Sequence, residues 1–350
     1  MSMKKISRRT TLSLASLAAL ALPAGMAAAQ SLTIGLASEP TAADPHYHKV
    51  TTNDSFSAHI FESLINRNAK MELIPGLAES WKPVDDSTWE LKLRKGVKFS
   101  NGEPFTSKDV LFTICRVLNN ETNVSRSYME PMQNFSDVQT PDDYTVIIKS
   151  DRPIPTMPNE LARALPIIWS GIAKFDKLKF APKEGCGVTS SWPTVAEFNT
   201  GKLSIGTGPY KLKSYVKGTG IEMERPDAYW GTKPPWKTVK MVPVPNAGPR
   251  LTGLMSGDYD VIESPAARDL PRIKENNKLD FVATPSTRLI FFQPDSGRAQ
   301  SPFVKAADGK NPLQDLRVRQ AISMAIDRKA IVTRLMDGMA TVANQYMPTG

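Results

Sequence analysis

The chain has 350 residues, of which 28 are proline and 21 glycine, enough length for more than one domain built from many short, punctuated elements. Its formal charge is +9, but four of the 44 basic residues and none of the acidic ones fall in the first thirty positions, so a chain lacking them would carry +5. That modest excess is spread along the sequence with no basic run interleaved with aromatics, which argues against nucleic acid as a partner. Two cysteines, Cys115 and Cys186, are too few for a disulfide framework.

Lys4, Lys5, Arg8 and Arg9 form a positive amino-terminal region. Residues 12–22 are apolar or small and too short to span a bilayer. Pro23 and Gly25 break that run, and Ala27-Ala28-Ala29 supplies a small-residue cleavage pattern, so residues 1–29 read as a secretory signal peptide. Ser7-Arg8-Arg9 fits twin-arginine export, although Thr11 stands where that motif usually has phenylalanine; the two lysines suit the general route equally well. No cysteine follows at the cleavage point to take a lipid anchor, and no later stretch is long and apolar enough for a transmembrane helix. The expectation is an exported, soluble protein.

Residues 31–37 alternate Leu32, Ile34 and Leu36 as a first strand, followed by a turn-prone stretch through Asp44-Pro45. Asn53 is placed to cap a helix carrying Phe56, Ile60 and Leu64. Residues 87–94 alternate Trp89, Leu91 and Leu93 as a half-buried strand, with tight turns at Gly96 and Asn101-Gly102. Thr106 to Asp109 forms a capping box for a helix with Val110, Ile114 and Val117 on one side and Leu111, Cys115 and Leu118 beside them. Residues 144–149 read as a strand and 156–198 as mixed. Gly206-Thr207-Gly208-Pro209-Tyr210 is a glycine-rich turn into a strand. A strand at 240–244, a helix to about Ser256 and a short strand at 259–262 follow. Asp315 caps a long helical region carrying Val318, Ile322, Ala325 and Ile326, which Gly338 stops. Strands and helices mix throughout, giving an α/β class with irregular connections and no internal repeat.

Several segments together resemble one family. They are Asp44-Pro45, Ser80-Trp81, Trp89 through Gly102, Pro104-Phe105-Thr106, Asp109-Val110, Gly206 through Tyr210, Tyr229-Trp230 with Lys233-Pro234, and Pro312 through Ala321 to Ala325-Ile326-Asp327-Arg328. In this order they are similar to the signature of the bacterial family 5 extracellular solute-binding proteins, whose members bind oligopeptides, dipeptides, glutathione or nickel for ABC importers. The resemblance implies a two-lobed periplasmic-binding-protein-like α/β fold with an extra domain. By analogy, residues 31–60 and 188–284 build the first lobe, 61–187 the extra domain packed on it, and 285–350 the start of the second lobe. Relatives continue past the position of Gly350, so the chain as given is expected to be C-terminally truncated, with an incomplete second lobe and exposed apolar faces. It also carries an extra polar stretch at 295–311. The implied function is capture of a short peptide and its delivery to the permease subunits of an ABC importer, by a monomer in the periplasm without a lipid anchor. Nickel, glutathione or an oligosaccharide are the alternatives within the family.

By the same analogy Lys49, Val50, Thr51, Thr52 and Asn53 run backbone along the ligand, and Tyr128 offers an aromatic wall and a hydroxyl. Arg317 and Arg319, near a helix start, are expected to pair with carboxylates, and Asp327-Arg328 to pair at a helix end. In an oxidising compartment Cys115 and Cys186 either form a bridge or are a buried and an unrelated exposed cysteine. His46-x-His48 and His59 invite a metal, but no CxxC, HExxH or carboxylate cluster accompanies them, and the first two read as surface-loop histidines. No cofactor is implied. A secreted hydrolase is the rival from another class, without support from GxSxG, a Walker lysine loop or GxGxxG. Pro209 removes an amide that a phosphate cradle at Gly206-Thr207-Gly208 would use. Asp85-Asp86 and Asp142-Asp143 read as solvated turn residues, not as an acid/base pair.

Overall fold

The computed structural model of the protein describes residues 31–119, 128–283 and 289–345, so the signal segment read at 1–29 lies outside the described residues. In chain order, β1 (Ser31–Leu36) is followed by α1 (Thr51–Ile60), β2 (Ile65–Arg67), β3 (Leu73–Pro75), β4 (Ala78–Asp85) and β5 (Thr88–Leu93). Next come α2 (Ser107–Asn119), β6 (Phe135–Asp142), β7 (Thr145–Ser150), α3 (Met157–Ala164), α4 (Val195–Asn199), β8 (Lys211–Val216) and β9 (Gly220–Glu224). Then follow β10 (Thr238–Pro243), α5 (Ala247–Ser256), β11 (Val261–Ile262), α6 (Leu270–Glu275), α7 (Leu316–Ala325) and α8 (Arg328–Ala330).

Two sheets organise these elements. The first has the order β11-β1-β10-β9-β8, with β1 parallel to both β10 and β11 and antiparallel pairing beyond β10. A parallel neighbour needs a crossover, and between β1 and β10 that crossover contains the whole second sheet. That sheet is antiparallel, in the order β4-β5-β7-β6. Its strands follow the period of two: Leu91 and Leu93 are buried on β5 while Lys92 between them is exposed.

Each sheet has its own core. Leu64, Leu91, Val110, Ile114, Val146 and Ile148 belong to the core of the four-stranded sheet. Leu36, Phe56, Ile60, Phe198, Met223 and Val239 belong to that of the five-stranded sheet. Helix α2 is buried on both sides because it serves both. Val110, Leu111, Ile114 and Cys115 pack into the first core. Phe112 turns into the second, 5.7 Å from Trp192 and 6.3 Å from Phe175. Fully burying one such side chain stabilises by about 1.5–3 kcal/mol. Half of the expected capping box forms: the Asp109 carboxylate accepts the Thr106 amide at 2.9 Å, while the Asp109 amide donates to the Thr106 carbonyl at 3.1 Å and not to its hydroxyl; the other carboxylate oxygen accepts the Ser170 amide at 2.9 Å. Burial pushes the Asp109 carboxyl up, against those hydrogen bonds.

The glycine-rich turn explains itself by close approach. A Cβ on Gly206 would stand 1.9 Å from the Ile60 carbonyl oxygen, and one on Gly208 2.7 Å from it. The space is used for hydrogen bonds: the Gly208 amide donates to Ile60 O and the Tyr210 amide to His59 O, both at 2.9 Å. The orphan carbonyls at the end of α1 are thereby satisfied, and the Gly206 carbonyl accepts from Ser100 of the other unit at 2.8 Å. Cys115 and Cys186 form a disulfide with Cα atoms 6.2 Å apart, fastening α2 to the 182–187 turn.

Four sequence expectations change. Asn53 is not the cap of α1: extended Val50 precedes the helix, and the Asn53 amide exchanges hydrogen bonds with Thr41 instead. Leu64 lies beyond the end of α1. The helical region from Asp315 is broken, because Ile326 leaves the helix and Asp327 caps a new turn through the Ala330 amide at 2.9 Å. Arg317 pairs with Asp315 at 2.6 Å as expected, but Arg319 donates to the Leu313 and Gln314 carbonyls. The polar stretch at 295–311 is irregular and gathered by Asn311, whose amide donates to Asp295 O and Arg298 O. Large exposed apolar residues concentrate after residue 281, among them Val282, Ile290, Phe303, Met324 and Leu335, and no strand among the described residues follows β11.

Candidate functional site

A cleft of about 1640 Å³ lies at the carboxyl ends of β1 and β11. In open sheets with parallel strands this is where ligands lodge. Ala37 and Ser38 after β1 and Ile262, Glu263, Ser264 and Pro265 at and after β11 form one side. Lys49, Val50, Thr51, Thr52 and Asp54 at the start of α1 form another. The four-stranded unit contributes Glu130, Asn134, Arg152, Ile154 and Glu160, with prolines 131, 153 and 155 between them, and Val282 closes the rim.

Four of the expected site residues, Lys49, Val50, Thr51 and Thr52, thus stand together on the cleft wall. The first-turn amides of a helix have no intrahelical acceptor, so Thr51 and Thr52 bring donors to that wall. The hydroxyls of Ser38 and Thr52 meet at 2.6 Å and tie the β1 loop to α1. Asn53 is buried and turned to Thr41. Tyr128 is 1% exposed and stands behind the wall. Its hydroxyl donates to the Asp54 carboxylate at 3.0 Å, and the Lys49 ammonium lies 5.1 Å from its ring centre. Burial and the Asp54 charge hold the phenol well above its usual range.

A second cluster sits between the two cores, and its histidine corrects the surface-loop reading. His46 is fully buried. Arg116 of α2 makes a bidentate pair with Asp44, Nη1 to Oδ1 at 2.9 Å and Nη2 to Oδ2 at 2.6 Å. It also donates to His46 Nδ1 at 2.8 Å and to the Pro193 carbonyl at 2.9 Å, and lies over the Phe198 ring. Because guanidinium only donates, His46 Nδ1 must accept, which leaves Nε2–H to donate to Pro166 O at 2.8 Å. Burial first, then Arg116, holds the imidazole down to about 4, against the opposite pull of Asp44. A neutral imidazole engaged at both nitrogens is a structural part, not a ligand for metal. Among the described residues no group of three His, Cys, Asp or Glu could hold a metal ion.

Three further acids have structural partners. Glu62 accepts from Tyr229 Oη at 2.8 Å and Trp230 Nε1 at 2.7 Å, joining the segment after α1 to the connection between β9 and β10, and burial raises its carboxyl. Arg94 stacks over Trp230 at 4.8 Å. Asp85 and Asp142 accept the amides of Ser87 and Tyr144, both at 2.8 Å, and those bonds lower their carboxyls as turn residues.

The sequence pattern of the bacterial extracellular solute-binding proteins, family 5 Middle, matches residues 72–350. The chain belongs to that family. It is 28% identical over 315 residues to the dipeptide-binding protein of Escherichia coli strain K12, covering 85% of this chain and 54% of that one. The solved structure of OppA of Burkholderia pseudomallei superposes with a TM-score of 0.68 at 23% identity, covering 92% of this chain and 61% of that one. AppA of Bacillus subtilis, solved in complex with a nonapeptide, superposes with a TM-score of 0.67 at 25% identity, covering 89% and 57%. The fold is that of the two-lobed periplasmic binding proteins, and family members are solute-binding proteins rather than enzymes. The family 5 chain described here spans about half the length of the curated relatives it matches. None of its helices among the described residues is long and apolar enough to cross a membrane.

Proposed function

We propose that this solute-binding protein captures a short peptide in the periplasm, after removal of residues 1–29, and delivers it as a soluble monomer to the permease subunits of an ABC importer. The observation that carries this reading is the cleft at the ends of β1 and β11, whose volume of about 1640 Å³ exceeds the roughly 300–1,000 Å³ of ordinary small-molecule pockets. An elongated ligand of several residues suits that space. Lys49, Val50, Thr51 and Thr52 contact the ligand from the α1 side, and Tyr128 acts from behind by orienting Asp54. Residues 31–60 and 188–284 form the first lobe and 61–187 the extra domain, a division supported by the two separate cores and by α2 packing between them. Residues 285–350 open the second lobe. Closure of that lobe would bury the ligand and create the shape the permease reads.

Isothermal titration of the full-length protein against mixed di- to pentapeptides tests this. Saturable binding with intact peptide recovered is expected. Cleaved product accumulating with time would instead establish a hydrolase, and uptake of Ni²⁺ without peptide binding would assign a different cargo.

A further inference from the structure

Glu263 is held at three points. Its amide donates to Gly35 O at 3.0 Å, its carbonyl accepts from Arg250 Nε at 2.9 Å, and its Oε2 accepts the Ala37 amide at 3.3 Å. Ser264 follows in the left-handed region, with φ 46, and its carbonyl accepts from Arg250 Nη2 at 2.9 Å. The remaining nitrogen of Arg250, Nη1, donates to the carbonyls of Val244 at 2.6 Å and Pro245 at 3.0 Å. Arg250 is 3% exposed, and all four of these partners are main-chain oxygens. A rigid guanidinium fork spent on carbonyls clamps the ends of β10 and β11 into one geometry.

The clamp fixes a carboxylate at the cleft wall. Oε1 of Glu263 takes part in no hydrogen bond among the described residues, while Oε2 anchors the side chain to Ala37. The sign of the surroundings matches: Asp54, Glu130, Glu160 and Glu263 line the cleft against Lys49 and Arg152. If the cleft is the ligand site, as proposed in the preceding section, we propose that Glu263 is a specificity-determining residue that takes a cationic group of the ligand, a lysine or arginine side chain in a peptide. Arg250 is its positioning residue. A carboxylate already fixed by its neighbours loses little freedom on binding, and a hydrogen bond to a charged group is the stronger kind.

Titration calorimetry of the full-length protein at pH 7 with Ala-Lys-Ala, Ala-Glu-Ala and spermidine tests the assignment. The lysine peptide should bind roughly ten- to hundredfold tighter than the glutamate peptide. Glu263→Gln keeps an oxygen for the Ala37 amide, so it should bring that ratio close to one without lowering Tm. Arg250→Lys should weaken Ala-Lys-Ala binding about tenfold. The equally buried Arg116→Lys, away from the cleft, should leave affinity unchanged even where both variants lower Tm. Equal wild-type affinities for the two peptides, or an unchanged preference in Glu263→Gln, would overturn the role of Glu263. Wild-type affinity in Arg250→Lys would overturn the positioning role. Spermidine binding that Glu263→Gln abolishes, with no peptide bound, would sink the peptide reading and leave Glu263 standing; binding of no probe would sink both.

Discussion

Asp44→Asn tests the join between the two cores. Both side chains of the Asp44–Arg116 pair are 0% exposed, so neither charge has water to fall back on. Asparagine keeps one acceptor for Arg116 but presents an N–H to the other guanidinium nitrogen, now 2.6 Å from a carboxylate oxygen. The His46 amide, which donates to Asp44 Oδ1 at 2.9 Å, also loses a charged acceptor. Removing one partner of a buried pair costs about 3–5 kcal/mol because the other charge is stranded. At about 2 °C per kcal/mol for a chain of this size, Tm should fall by about 6–10 °C. Differential scanning calorimetry measures that shift, with tryptophan fluorescence following Trp192 beside Phe112. The double variant Asp44→Leu/Arg116→Met removes both charges and should recover most of the loss, because apolar replacement of an entire buried pair is often neutral. A fall of less than 2 °C, or a double variant as unstable as the sum of the singles, would refute the reasoning.

Three further outcomes are expected. The His46 imidazole is held at about 4 in the folded chain, so between about pH 6.5 and 4 the unfolded chain takes up a proton the folded one refuses. Stability should therefore drop as pH falls through that window, by up to about 3 kcal/mol, with no contribution above it. Urea unfolding of wild type against His46→Gln isolates this term from Glu62 and Asp109, whose raised carboxyls act in the opposite sense; parallel curves would disprove it. Replacing Cys115 and Cys186 together by alanine opens a loop spanning 71 positions and should cost about 4 kcal/mol, read as a lower urea midpoint. Gly206→Ala forces a methyl against the Ile60 carbonyl and should destabilise by about 4 kcal/mol or more, whereas Gly248→Ala, with open space around it, should be close to neutral by thermal melting.

The strands and helices that were legible in the sequence are those with a period of their own. Leu91 and Leu93 on β5 and the two apolar stripes of α2 signal their faces locally, and Thr106 with Asp109 marks a helix start within four residues. Asn53 looked the same as a cap, yet it lies two residues inside α1 and serves Thr41 twelve positions away. The stretch from 49 to 52 was found through family resemblance, and its placement on the cleft follows from where β1 ends. Nothing in the sequence marked Glu263 or Arg250, since a guanidinium that binds four carbonyls leaves no signature in residue type or spacing.

The sequence by itself determined the family, through an ordered set of segments that includes Trp89 to Gly102 and Gly206 to Tyr210. It also determined the local elements, because side-chain periodicity and turn chemistry act within a few residues. Only the tertiary structure decided which distant groups meet: Asp44 with Arg116 across 72 positions, Cys115 with Cys186 across 71, and Ala37 with Glu263 across 226. Those pairings depend on the parallel crossover that carries the chain from β1 through an entire second unit before β10 returns beside it. Burial then converts His46, which reads as a surface-loop histidine, and Asp44, which reads as part of a turn, into the neutral imidazole and the bidentate pair with Arg116 that join the two cores.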